Sequence, residues 1–344
     1  MSWLESELRE QPVALARLLE RQGDAAAEIA ATLGRDDVRY VLIASRGTSS
    51  NAARYAQYLL GRAHRVPVMF ATPSLYTIYE QPPRLDGAVV VGISQSGESP
   101  DVVAVLAEAR RQGRPTVGLT NTAGSPLAAQ SDTVLLLEAG EERSVAATKT
   151  YVNSVGAIAL VFSAADGSAS RAELERMPEA LEAQIELSLG TLPPLAEYAR
   201  ESGATVVARG VNYGSAHEIA LKIRELAGLV VEPYSPADLM HGPIAAIRSG
   251  WPVVVVAPTG PAYETVASLV PALQERLARL VVVSDVDELL LTAHTPLPLV
   301  RGVPEWLSPL TAVIPGQLAA MTLAEQRGID VDRPHGLHKI TLTR

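Results

Sequence analysis

Val89-Val90-Val91-Gly92-Ile93-Ser94-Gln95-Ser96-Gly97-Glu98-Ser99-Pro100-Asp101 is the stretch on which the reading of this chain turns. Val89 to Ile93 is a short apolar run, the pattern of a strand buried on both faces. A hydroxyl-rich turn follows, and Val102 to Arg110 carries helical spacing. Ser99 suits an N-cap, and Pro100 suits the first helical position, where its missing N–H would be unpaired anyway. Strand, turn and helix in this order bring Ser94, Ser96, Ser99 and several backbone N–H groups to the positive end of a helix. That is a site for an anion, phosphate above all. The alternative is an ordinary polar connection between strand and helix.

Toward the N-terminus, Glu5 to Leu33 shows helical spacing interrupted near Gly23. It predicts two helices, with Gln11-Pro12 at the start of the first long one. Tyr40 to Ala44 reads as a strand, Ser45 to Ser50 as a tight loop, Asn51 to Leu60 as a helix and Val66 to Ala71 as a short strand. Beyond the serine turn come strands at Thr116 to Thr120 and Val134 to Leu137. A long helix, Ser144 to Phe162, is entered through Thr148-Lys149-Thr150. The small, polar stretch Asp166 to Arg171 reads as the start of a linker, and Glu173 to Leu189 as a helix. Strands alternating with helices imply an α/β fold, with a parallel sheet covered by helices on both faces.

The pattern recurs. Ala44-Ser45-Arg46-Gly47 is echoed by Val207-Ala208-Arg209-Gly210, Val89 to Ile93 by Val253 to Ala257, and Val117-Gly118-Leu119 by Val281-Val282-Val283. All three echoes lie about 164 positions apart, which implies two copies of one α/β domain. The copies differ at the turn: Ser94-Gln95-Ser96-Gly97 becomes Pro258-Thr259-Gly260-Pro261. One copy keeps a phosphate loop that the other lacks.

Composition narrows the partners. The 344 residues are enough for two ordinary domains, and the net charge of −9 argues against non-specific nucleic-acid binding. An anionic ligand must therefore be held by local dipoles and donors. The absence of cysteine excludes disulfides, thiolate metal sites and a cysteine nucleophile within this sequence. No apolar run is read as long enough to cross a bilayer, and the N-terminus lacks a signal-peptide layout, so a cytoplasmic protein is expected. His64, His217, His294, His335 and His338 show no ligand spacing, and no metal is expected.

With these residues in view, the chain resembles the sugar isomerase (SIS) family. Within it, the similarity is to the isomerase half of glucosamine-6-phosphate synthase and to related deaminases. The resemblance runs through Glu7-Leu8-Arg9-Glu10-Gln11-Pro12, Gly47-Thr48-Ser49, Ser94 to Ser99, Val145-Ala146-Ala147-Thr148-Lys149 and Glu218 to Glu225. It continues through His241-Gly242-Pro243 and Asp330 to Pro334 to Leu337-His338-Lys339. It implies two tandem SIS domains, 41–165 and 190–325, preceded by helices in 1–40 and followed by a tail, 326–344, over the active site. By the same resemblance Ser49, Ser94, Gln95, Ser96 and Ser99 hold a sugar phosphate, and Gly47, Thr48, Val145, Ala146 and Glu218 meet the sugar. Glu225 moves a proton between C1 and C2, with Lys222 in the catalytic group. His241, from the partner subunit of a homodimer, opens the ring, and Lys339 forms a Schiff base. No cofactor, nucleic acid or membrane is implied.

Residue chemistry agrees with these roles. Aldose–ketose interchange needs one base over two adjacent carbons, and such general acid–base help is worth roughly 10²–10⁴ in rate. Glu218, Lys222 and Glu225 fall at i, i+4 and i+7, on one helix face; a solvated, ion-paired face is the plainer reading. His241 lies in a turn, and Lys149 reads as structural or substrate-orienting. The full synthase draws ammonia from glutamine through a glutaminase domain with an N-terminal cysteine. This chain begins where the isomerase half begins and has no cysteine, so the expected reaction is the outward one. Glucosamine 6-phosphate and water would give fructose 6-phosphate and ammonia.

Departures from the synthase pattern are Arg46 for cysteine, Ala147 for serine, and Asp238 and Met240 for glutamate and lysine around His241. They weaken the assignment to glucosamine specifically. Two other readings stand beside it: a deglycase splitting phosphorylated sugar–amino acid adducts, and a non-catalytic sugar-phosphate sensor.

Overall fold

Apolar, β-branched runs bounded by turns become ten strands among the described residues. They are β1 Tyr40–Ser45, β2 Val68–Phe70, β3 Ala88–Ile93, β4 Thr116–Thr120, β5 Thr133–Leu136, β6 Gly203–Val207, β7 Val230–Tyr234, β8 Pro252–Val256, β9 Arg279–Ser284 and β10 Thr295–Pro298. In this computed structural model they make two five-stranded sheets, ordered β2-β1-β3-β4-β5 and β10-β9-β8-β6-β7. Every pairing is parallel. The structure describes residues 1–193, 195–334, 336, 337 and 339. His335, His338 and positions 340–344 of the expected tail lie outside the described residues.

The two sheets have one topology, as the repeat requires. In each, the second strand pairs on one side of the first and the third strand on the other. The strand order therefore reverses between β1 and β3, and again between β6 and β8. Ligands of open α/β sheets bind beyond the carboxyl ends of the strands at such a reversal. Arg46 and Arg209 are both extended (φ −137° and −141°). The glycine after each has positive φ, +49° at Gly47 and +61° at Gly210. The Arg-Gly echo marks equivalent strand-to-helix turns, where glycine enters the left-handed region without steric cost.

The chain divides into two compact units. One holds β1–β5 and comprises Glu10–Glu142, Ala147–Pro178 and Lys339. Its strands alternate with period two. Leu42, Ala44 and Val90 pack with Val102, Val105 and Leu106 of the Pro100–Arg111 helix. Ile43, Val91 and Ile93 line the opposite core with Ile29, Ala56, Leu60 and Ile158. The Lys149–Asp166 helix is buried from Lys149 to Ser163. At its Gly156 an added Cβ would lie 2.5 Å from Leu15 Cδ1, so the Gln11–Arg21 helix approaches it closely.

The other unit comprises Met1–Arg9, Arg143–Ala146 and Glu179–Leu337 and holds β6–β10. Its core places Val207, Val253 and Val255 with Leu269, Leu273 and Leu280. The Tyr213–Ala227 helix packs on the long Ser308–Gln326 helix. Gly316 permits this, because a Cβ there would fall 2.4 Å from Ile219 Cγ1.

Several expectations are corrected. The N-terminal segment forms three helices, Trp3–Arg9, Gln11–Arg21 and Gly23–Leu33. Trp3–Arg9 makes a turn of its own that buries Leu4 and Leu8, and Pro12 sits in the next helix's first turn, where proline is tolerated. The 45–50 loop is shorter than read, since helix Gly47–His64 starts at the glycine. The long buried helix starts at Lys149, not Ser144. No linker opens at Asp166: Gly167 (φ +113°) turns the chain directly into helix Ser168–Glu175. Residues 305–326 are long and apolar enough to cross a membrane by length and composition, where the sequence was expected to hold no such run. Of that apolar window, 94% is buried inside the structure.

Candidate active site

The serine turn closes on itself around Gly97. Ser94 Oγ accepts from Gly97 N at 3.1 Å, and Ser96 Oγ accepts from Glu98 N at 3.2 Å. Gly97 has φ +68°, and a Cβ there would lie 2.1 Å from Ser125 Oγ, so conformation and space both demand glycine. The turn is anchored from outside by Leu127 N on Gly97 O and by Asn121 N on Gln95 O, each 3.0 Å. Ser99 stands at the N-cap of Pro100–Arg111, as read, but its side chain makes no capping bond. It lies instead 3.4 Å from Ser94 Oγ. Across the reversal, Thr48 and Ser49 are half-buried in the first turn of the Gly47–His64 helix. Gln95 is half-buried, while its carbonyl is engaged. Arg46, preceding that helix, donates to buried Asp101 at 2.6 Å and ties the loop after β1 to the helix after β3. The arrangement supplies hydroxyls, backbone N–H groups and two helix N-termini to an anion at one strand edge.

The same edge carries a buried acid that motif reading missed. Asn121 donates from Nδ2 to Gly140 O (2.8 Å), and its Oδ1 accepts from Ala139 N (2.9 Å). It thereby links the serine turn to the segment that ends in Glu142. Glu142 is buried. Its Oε1 accepts from Thr148 N and Thr150 N at 2.9 and 3.1 Å. Its Oε2 accepts from Thr150 Oγ1 at 2.7 Å and from Lys339 Nζ at 2.8 Å. Burial pushes this carboxyl up, but the Lys339 ammonium and the Thr148 and Thr150 donors outweigh it and hold it below its ordinary value. Lys149, which begins the next helix, pairs with Glu10 at 2.6 Å.

In the other unit, Lys222 lies between two carboxylates of its own helix: Glu225 Oε2 at 2.5 Å and Glu218 Oε1 at 3.4 Å. Glu218 and Lys222 are buried, whereas the Glu225 side chain is 26% exposed. The face read from spacing is thus real, and only its tip is wet. His241 ends the short Pro236–Met240 helix and is exposed. Its Nδ1 donates to Ala237 O at 2.7 Å, which leaves Nε2 as the acceptor of the neutral ring. Val145 is half-buried and Ala146 buried. Their segment is fixed by the buried Glu7 carboxylate, which accepts from Arg143 N and, at 3.2 Å, from Ser144 N.

The reversal point of the second sheet is filled from within. Glu305 Oε1 accepts from Ala262 N at 3.0 Å, and Gly260 backs so closely on Glu305 that a Cβ would meet its Cβ at 2.5 Å. A carboxylate of the chain itself occupies this counterpart of the serine turn. Among the described residues, no three His, Cys, Asp or Glu side chains converge as metal ligands would.

The SIS domain family matches residues 35–164 and 197–324. The chain is 35% identical over 338 residues to the glutamine–fructose-6-phosphate aminotransferase [isomerizing] of Aquifex aeolicus. That match covers 97% of this chain and 56% of the relative, so the chain spans little more than half the relative's length. Among solved structures, the C-terminal domain of glucosamine-fructose-6-phosphate aminotransferase from Francisella tularensis superposes with a TM-score of 0.85 at 25% identity, covering 97% of this chain and 98% of that one. Glucosamine-6-phosphate deaminase from Thermotoga maritima shares the fold, with a TM-score of 0.77 at 21% identity over 99% of this chain and all of that one.

Proposed function

The chain belongs to the SIS domain family, and from that premise we propose that it is an isomerising deaminase of amino-sugar phosphates. Its reaction converts glucosamine 6-phosphate and water to fructose 6-phosphate and ammonia. The serine turn, with Ser49, Gln95 and the two helix N-termini, holds the phosphate. His241, supplied by the partner of a homodimer, shuttles the proton between O1 and O5 that opens the ring. Glu225, oriented by Lys222, takes the C2 proton and returns it at C1, which leaves an imine at C2. Lys339 displaces ammonia from that carbon as a transient Schiff base; water then adds, releases the lysine and leaves the ketone. The observation that carries the deaminase reading is the Lys339 amine, bonded to Glu142 on the strand edge that bears the serine turn.

The test is ammonia and ketose-phosphate production from glucosamine 6-phosphate and galactosamine 6-phosphate, with glutamine as the negative control. Both products in equal amounts from an amino-sugar phosphate support the reading. Isomerisation of unaminated sugar phosphates without ammonia release from any amino sugar overturns it.

A further inference from the structure

The chain has only three lysines among its 29 Lys and Arg residues, Lys149, Lys222 and Lys339. Each is bonded to a glutamate: Lys149 to Glu10, Lys222 to Glu225 and Glu218, Lys339 to Glu142. The side chains of the first two are 2% and 1% exposed, that of Lys339 25%. Lys339 is therefore the lysine that a solute reaches. Its carboxylate partner is the reverse, with no exposure of its side chain.

We propose that Glu142 is the positioning residue for Lys339, holding its ammonium on the strand edge of the serine turn until substrate takes the amine. This rests on the reading of Lys339 as the reacting amine. The division of labour within the carboxylate supports it. Oε1 serves the backbone, accepting from Thr148 N and Thr150 N at the start of the Lys149–Asp166 helix. Oε2 faces Thr150 Oγ1 and Lys339 Nζ. One oxygen fixes the acid to the fold and the other presents it to the lysine. Through Gly140 and Asn121 the same segment is fixed to Gln95 of the serine turn, so the amine is referenced to the phosphate-binding loop by hydrogen bonds. An ammonium has three donors and no lone pair, and it cannot attack carbon until it leaves this partner and gives up a proton.

Glu142→Gln separates the two roles. Its amide oxygen still accepts the two backbone N–H groups, while its NH₂ faces Lys339 and repels the ammonium. The ligand-free full chain is treated with an N-hydroxysuccinimide acetate at pH 8, and acetylation of each lysine is followed by peptide mass spectrometry. Lys339 should be modified about tenfold faster or more in Glu142→Gln, the scale of one lost charged hydrogen bond, with Lys149 and Lys222 unchanged. Unchanged Lys339, or all three lysines rising together, overturns the proposal. Glu142→Asp keeps the charge but retracts it by a methylene, and should fall between the two. In turnover, Glu142→Gln should lower kcat about tenfold or more with KM within about twofold. An unchanged kcat, or a loss confined to KM, overturns the proposal equally. The labelling arm uses no substrate. Faster labelling of Lys339 without ammonia from any amino sugar would sink the deaminase reading and leave the pairing intact.

Discussion

Glu225 is the one acid of its helix face with a side chain in contact with solvent, and Lys222 fixes its Oε2 at 2.5 Å. Glutamine there keeps the shape and removes the proton acceptor. Glu225→Gln should lower turnover by about 10²-fold or more, with affinity for the sugar phosphate by calorimetry changed less than about threefold. Loss of binding along with turnover would make Glu225 a structural residue. Glu142 carries the pH dependence at this scale. A carboxyl depressed in the folded state stabilises the fold above its unfolded value, near 4.5, and loses that contribution as pH falls below it. Stability of the parent chain to urea should drop more steeply between about pH 5 and 3 than that of Glu142→Gln. Parallel curves would exclude the Lys339–Glu142 pair as a source of acid sensitivity.

Elements hold these residues in place, and two glycines set the tolerances. Gly97 combines φ +68° with a Cβ position already taken by Ser125. Gly97→Ala should cost about 1–3 kcal/mol in denaturant unfolding and raise KM for the phosphorylated substrate more than it lowers kcat. Gly316 lets the Ser308–Gln326 helix lie against Ile219, the residue after Glu218. Gly316→Ala should cost about 1–3 kcal/mol through overpacking and lower kcat by displacing the helix that bears Glu225; an unchanged melting curve would show that Ile219 yields freely. Gly97 was visible as part of a motif, Gly316 was not, and the contrast shows what a sequence discloses. Strand–turn–helix order, the Arg-Gly echo and the 218–225 face were legible because they are local patterns. The roles of Glu142, Asn121, Asp101 and Glu7 were not, because each depends on a partner distant in the chain or on burial, and neither leaves a local signature. The helix at Gly47 was hidden because its opening turn is rich in hydroxyls and glycine, residues that read as loop.

At the scale of the whole molecule, the proposed homodimer makes a prediction that no single chain can. If His241 serves the partner's site, a heterodimer of a Glu225→Gln chain and a His241→Ala chain has one site with both defects and one with neither. Mixing the two inactive proteins should then restore about half the parental activity per heterodimer. Verified heterodimers without activity would assign His241 to its own chain. The two units share one topology but differ in what their strand reversals offer, hydroxyls at the first and a carboxylate of the chain itself at the second.

That carboxylate, Glu305, has a consequence for counting. Duplication hands a protein two mouths of the same shape, and here one is stoppered by the chain's own acid, already seated on the Ala262 amide. A titration with a phosphate ester should level off at one equivalent per chain, although the architecture is drawn for two. That closed mouth leaves the second half to present the Tyr213–Ala227 helix, its own anion socket already filled by Glu305.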